Sequence, residues 1–312
     1  MPQYDIISAG LMVMDVIATG VDRTVFHRDT TYAERIQYVP GGDALNVAIN
    51  LSKLSVGVAI AGNVGQDASG GTILQHLQGL GIHTHLVRQL KDTATATSIV
   101  LSRPDAERHF IYQAGANDLF DGSQLTDDML ARAKILYIGS VLGLPALEDT
   151  YLPALLQRAK ALGLKTVMDA CATRELSQVE RIWQAFPHVD VFFPSWAEAV
   201  VLTGADTPEE AARQFTDRGV GLAGVKLGAD GVYLYDGHKG LHLPAIPFEN
   251  PVDTTGAGDA FMSGFLLGML QGEPVERCAR MGTVMGHCCI QTYGATTHSC
   301  TLASVQQMMG SA

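Results

Sequence analysis

Short apolar runs alternate with amphipathic segments along most of the chain. "YDIISAG", "VAIAGNVG", "AKILYIGS", "LKTVMDA", "VDVFFP" and "GLAGVKLG" are nearly continuous in apolar residues, and each closes on glycine, proline or a polar side chain. Runs of that length and composition predict strands covered on both faces. Between them, residues 44–54, 147–162 and 257–270 repeat apolar positions at helical spacing and predict helices. The alternation predicts an α/β fold, a doubly wound and mainly parallel sheet flanked by helices. Ligands in that architecture bind beyond the carboxyl ends of the strands.

Two segments break the rhythm. "TATSIVLSRPDAERHFIYQAG" predicts a hairpin with its turn at 103–107, and "AERIQYVPGG" predicts an isolated strand ending at Pro40. Together they predict a small β-sheet beside the main one, contributed by about 12–40 and 94–114. Such a sheet needs covering, so it suits a lid or a dimer surface. No repeat, linker or low-complexity tract interrupts the chain, and 1–312 is expected to form one domain.

Composition narrows the function classes. The 312 residues are 47% hydrophobic and 17% charged, enough for a large interior and too apolar for disorder. Net charge is −11 with a pI near 5.3, and no basic run occurs, which argues against nucleic acid or an anionic membrane as partner. No signal peptide or membrane span is expected. Five cysteines without Cys-x-x-Cys spacing read as reduced thiols of a cytoplasmic protein. Cys288 and Cys289 are adjacent in a helical pattern, so their side chains should point apart.

Two stretches carry chemistry. In "DTTGAGDAF", Gly256 and Gly258 permit a backbone whose N–H groups converge, and the positive end of the following helix adds to an anion site. Asp259 falls in the first turn of that helix. A carboxylate there repels a bound phosphate unless it takes a proton from an incoming hydroxyl, which is what phosphoryl transfer requires. The plainer alternative is a glycine turn with a helix-start acid. In "VPGGDALNVAINLSKLS", Asp43 and Asn46 share a helix face and suit a polyhydroxylated ligand, although Asp43 serves equally well as a cap.

These motifs resemble those of the PfkB/ribokinase family of carbohydrate kinases. "GGDALNVA" is similar to its N-terminal glycine signature and "NPVDTTGAGDAFMSGF" to its C-terminal one. "GNVGQDASG", "GAND", "FPSWAEAVVLTG" and "VKLGADG" follow in family order between them. The resemblance implies a ribokinase-like fold and transfer of the ATP γ-phosphate to a sugar hydroxyl with Mg2+. Asp259 is then the catalytic base, and Gly256, Ala257 and Gly258 the anion hole. Asp15, Gly42, Asp43, Asn46 and Asn117 would hold the sugar. Ser195, Lys226, Gly228, Gly231 and Thr283 would bind nucleotide. Glu198 would hold magnesium through water, and Asp253 and Thr255, with carbonyls near Cys289, Thr292 and Gly294, a monovalent cation such as K+. A homodimer through the lid is also expected.

The chain departs from the family in two places. Ser195-x-x-Glu198 stands where the family has Asn-x-x-Glu, which implies altered metal geometry. "GGDxxN" is similar to the ketodeoxygluconate kinase version, yet Gln113 and Ala114 replace the arginine that binds a sugar acid, and only Arg174 offers a substitute. A neutral sugar is therefore preferred. A nucleoside kinase with Phe110 or Tyr112 beneath the base, or a sugar sensor without activity, are the alternatives. Among the remaining candidates, His83-x-His85 reads as packing rather than metal binding, His109 as solvated, and His287 as packed in a helix. Asp169 and Arg174 read as ion-pairing or capping groups as readily as substrate ligands.

Overall fold

The computed structural model describes residues 3–103, 108–171 and 179–310. Thirteen strands among them form two sheets: β1 (Ile6–Ala9), β2 (Val13–Thr19), β3 (Arg35–Gly41), β4 (Val58–Gly65), β5 (His83–Leu90), β6 (Ala96–Ser102), β7 (Arg108–Gln113), β8 (Ile135–Val141), β9 (Lys165–Ala170), β10 (Val191–Phe192), β11 (Leu222–Lys226), β12 (Val232–Tyr235) and β13 (Gly240–Leu243). The main sheet runs β13-β12-β11-β10-β9-β8-β1-β4-β5. It is parallel from β11 to β5, and β12 and β13 close one edge antiparallel. Alternate residues feed separate cores: Ile7, Leu136 and Ile138 face one cluster, while Ile6, Ile135 and Tyr137 face the other. Burial on both faces explains the nearly continuous apolar runs of the strands. No helix among the described residues is long and apolar enough to cross a membrane.

The second sheet has the order β3-β2-β6-β7. Its β6–β7 pair is the expected hairpin, joined through residues 104–107 outside the described set. At its centre lies β2, which the sequence suggested only as part of a range. It pairs antiparallel with β3 and parallel with β6.

The helix expected over 147–162 is two helices, Pro145–Glu148 and Leu152–Ala161. Pro153 lacks an N–H and clashes with a preceding carbonyl, so it is accepted in a first helical turn and starts the second helix there. Cys288 and Cys289 do diverge: the Cys288 sulfur meets Cys300, and the Cys289 thiol donates to the Thr255 carbonyl. His83 and His85 pack against Tyr4. Among the described residues, no three His, Cys, Asp or Glu side chains converge on a metal-sized space.

Candidate active site

The glycine loop ends at Gly256, whose φ of 74° starts helix Ala257–Gln271. By position in the first turn, the Gly258 and Asp259 N–H groups have no acceptor within the helix. Ala257 N donates to the Thr254 carbonyl at 3.3 Å, and Ala260 is the first to bond back in helical register, to the Gly256 carbonyl. Asp259 lies buried beside these amides and accepts a 2.8 Å hydrogen bond from Asn46 Nδ2. Burial and the nearby Asp43 carboxylate push the Asp259 carboxyl well above its ordinary range.

Asn46 thus joins the two glycine signatures across 213 residues of sequence. It does not simply stand beside Asp43 as the helical spacing suggested. Its Oδ1 is buried without a partner in the structure, an acceptor left for a ligand hydroxyl. Gly42, with φ 95°, caps helix Asp43–Lys53, and Asp43 is its first residue, so the cap role falls to glycine. A side chain at Gly42 would strike the Leu11 carbonyl at 2.6 Å. Asp43 accepts a 2.6 Å hydrogen bond from Ser140, at the carboxyl end of β8. Burial pushes the Asp43 carboxyl up, against the pull of Ser140 and Lys226. Ser140 adopts φ 68°, rare for a residue with a side chain, and the next turn is braced by Glu148, which accepts from the Leu142 and Leu144 amides.

Asp15, Ser98 and Tyr112 lie side by side in register on one face of the second sheet. Burial and Asp43 push Asp15 up to about 7. Asn117, expected at the sugar, is bonded within the protein. Its amide accepts from Met12 N and donates to Met12 O and to the Tyr112 hydroxyl, so it fixes the backbone at the entry to β2.

On the opposite side, Ser195 caps helix Trp196–Thr203. Its hydroxyl accepts from the Glu198 amide, and Glu198 Oε2 accepts from the Ser195 amide at 2.7 Å. This reciprocal cap is the structural reason serine is accepted here, and it is legible as Ser-x-x-Glu. Lys226, at the end of β11, donates to both oxygens of Asp169 at 2.7 and 2.6 Å. Burial lowers the Lys226 pKa, but Asp169 and Glu198 outweigh it and hold the ammonium above its ordinary value. Burial also pushes Asp169 up to about 7, in spite of Lys226. Two short contacts from one ammonium favour the ionised form of the pair. Arg174 lies outside the described residues; among those described, Lys226 makes the ion pair with Asp169 at this strand end.

Gly228 faces open space, whereas a Cβ on Gly231 would meet the Leu243 carbonyl at 2.1 Å. Gly231 is therefore needed for backbone contact with the segment after β13. Beyond that segment, Leu243, Pro244, Ile246, Thr283 and Val284 line an apolar pocket of about 420 Å³. Asp253 accepts from Thr255 N and Oγ1 and from Gly294 N, tying the glycine loop to the segment after helix Val275–Cys289. The structure thus brings Asp15, Asp43, Asn46 and Asp259 together, with Lys226 acting on both Asp43 and Asp259 and Glu198 on Asp43. Ser98, Ser140 and the choice of Lys226 as partner for Asp169 are not legible in the sequence, because the residues they meet are distant along the chain.

A ribokinase-like sheet, a second β layer and a buried acid behind a glycine loop define a phosphotransferase architecture. Residues 3–301 match the pfkB family carbohydrate kinase profile, and the chain belongs to that family. It is an ATP-dependent phosphotransferase with an alcohol group as acceptor. A ribokinase of Arabidopsis thaliana is 28% identical over 287 residues, covering 89% of this chain and 74% of that protein. The structure of Arabidopsis thaliana ribokinase complexed with ribose and ATP superposes with a TM-score of 0.84 at 25% identity, over 99% of both chains. A cytidine kinase of Thermococcus kodakarensis is 37% identical over 133 residues, 41% of this chain and 47% of that protein.

Proposed function

We propose that the protein transfers the ATP γ-phosphate to a hydroxyl of a small neutral sugar or sugar derivative, with Asp259 as the base. The observation that carries this reading is the Asn46–Asp259 hydrogen bond, which joins sugar-binding and phosphate-binding signatures at one carboxylate. Asp15, Asp43 and Asn46 would hold the sugar against Asp259, with Gly42 and Asn117 shaping the backbone around it. Asp259 takes the hydroxyl proton as the oxygen attacks the γ-phosphorus in line, and ADP leaves. The amides of Gly256, Ala257 and Gly258 offset the charge on the phosphoryl oxygens. Adenine would occupy the pocket lined by Thr283, with Gly228 open toward the phosphates and Ser195 shaping the nucleotide edge. Magnesium, when bound, neutralises phosphate charge. It keeps most of its waters and needs only one or two carboxylates, so Glu198 fits as its ligand through water. Closure of the second sheet over the sugar would exclude competing water.

Charge supports a neutral acceptor. Asp15, Asp43 and Asp259 converge here, and their pKa values are all raised. A sugar acid would bring a further like charge into that space. Tyr112, on the face that carries Asp15, supports a second reading in which a nucleoside base stacks there, as does the similarity to a cytidine kinase. ADP release with neutral sugars, sugar acids and nucleosides discriminates these. A neutral sugar should give the highest kcat/KM. Turnover of sugar acids alone would overturn the preference, and a nucleoside as best substrate would select the second reading. The oxygen-rich loop of Asp253 and Thr255 fits a hard monovalent cation, so rates should be higher with K+. Equal rates in potassium-free buffer would remove that role.

The other face of the second sheet aligns Tyr38, Val16, Ile99 and Ile111 in register, and Tyr38, Ile99 and Ile111 are exposed. We assign this apolar row to a homodimer contact. Sedimentation at micromolar concentration should give a dimer, and a monomer there would exclude it. With its cysteines free, the enzyme is proposed to work in the cytoplasm.

A further inference from the structure

Asp169 and Lys226 meet at the carboxyl ends of β9 and β11, with side chains 2% and 16% exposed. A buried ion pair adds little net stability, because desolvation offsets most of the attraction. Its presence here therefore calls for another reason. A Cβ on Gly258 would lie 3.2 Å from Lys226 Nζ, so the ammonium rests against the turn whose amides face an anion. Lys226 is also a cation acting on both Asp43 and Asp259. A γ-phosphate entering beside these carboxylates brings more negative charge, and a flexible ammonium can turn to meet it.

We propose that Lys226 is a catalytic cation whose ammonium turns from Asp169 to the transferring phosphoryl group, and that Asp169 is the positioning residue holding it between turnovers. The inference rests on the kinase reading above. No bond to Lys226 forms or breaks; its N–H groups follow the charge that builds on the phosphoryl oxygens. Once ADP and product leave, the ammonium returns to Asp169.

The test uses the full-length protein in magnesium buffer. Lys226→Met should lower kcat roughly 100-fold, the loss seen when one donor to a developing charge is removed. Sugar KM should change little, since the ammonium meets the phosphoryl group and not the sugar. By calorimetry, its preference for a non-hydrolysable ATP analogue over ADP should fall about tenfold, the scale of one charge-assisted hydrogen bond. Lys226→Arg should recover much of both. Because Lys226→Met leaves Asp169 buried without its partner, the double variant Lys226→Met/Asp169→Asn is measured beside it and should show the same loss of preference. Asp169→Asn alone keeps the cation and should retain the preference while kcat falls. An unchanged preference in both Lys226→Met variants would overturn the proposal. So would an equal loss of preference in Asp169→Asn, which would make the pair a structural brace. If the wild type turns over no sugar or nucleoside but the preference shifts as expected, the acceptor reading fails and the role of Lys226 stands.

Discussion

Asp259→Asn is expected to lower kcat about 10³-fold, within the range for removing a general base, while ADP affinity stays near wild type. The substitution keeps the size of the side chain and an oxygen able to accept from Asn46 Nδ2, so the first turn of helix Ala257–Gln271 should hold its place. What it removes is basicity. The same carboxylate sets the expected pH profile. Burial and Asp43 raise the Asp259 pKa, and the base works only when ionised. Activity should therefore fall on the acid side at a pH above the ordinary carboxylate range. That limb belongs to Asp43 and Asp259 together, because each disfavours ionisation of the other. Steady-state kinetics across pH, with ADP binding by calorimetry, check both points. Turnover of the variant within tenfold of wild type would remove Asp259 from the base role.

Gly256→Ala should lower kcat roughly 100-fold, the scale of a misplacement of about an ångström. Alanine in this left-handed conformation costs about 1–2 kcal/mol. The larger effect comes from neighbours: the new Cβ would fall 2.1 Å from Ala295 Cβ and 2.6 Å from Ala295 Cα. Neither can yield without moving the segment that Asp253 ties to the loop. The first amides of the helix would shift with it. Gly272→Ala is the control, since Gly272 has φ 71° at the other end of the same helix and nothing within 4 Å. It should lower the melting temperature modestly and leave kcat unchanged. Thermal melts and kinetics on both variants separate backbone strain from displacement of the loop. Unchanged kcat in Gly256→Ala would show that the loop does not position the reacting phosphate.

The strand–helix rhythm and the second sheet were legible because they depend on local period: strands covered on both faces must be apolar almost throughout, and paired strands need a turn. Residues 147–162 misled for a related reason, since apolar spacing continues through Pro153 while the hydrogen-bond ladder does not. Ser195 stands where the family has asparagine, and Ser-x-x-Glu also spells the reciprocal helix cap that it forms. His83 and His85 both meet Tyr4, the packing that two residues on one face of a strand suggest.

What the sequence by itself determined is the position of Asp259 in the first turn of a helix behind two glycines, because loop flexibility, helix start and apolar run are consecutive in the chain. What only the tertiary structure decided is the company that acid keeps. Asn46 reaches it from 213 residues away, Asn117 turns to brace Met12, and Lys226 is held by Asp169 across the ends of two strands. Those partners are chosen by the order of strands in the sheet and by the low dielectric of the buried site, where each charge acts on all the others.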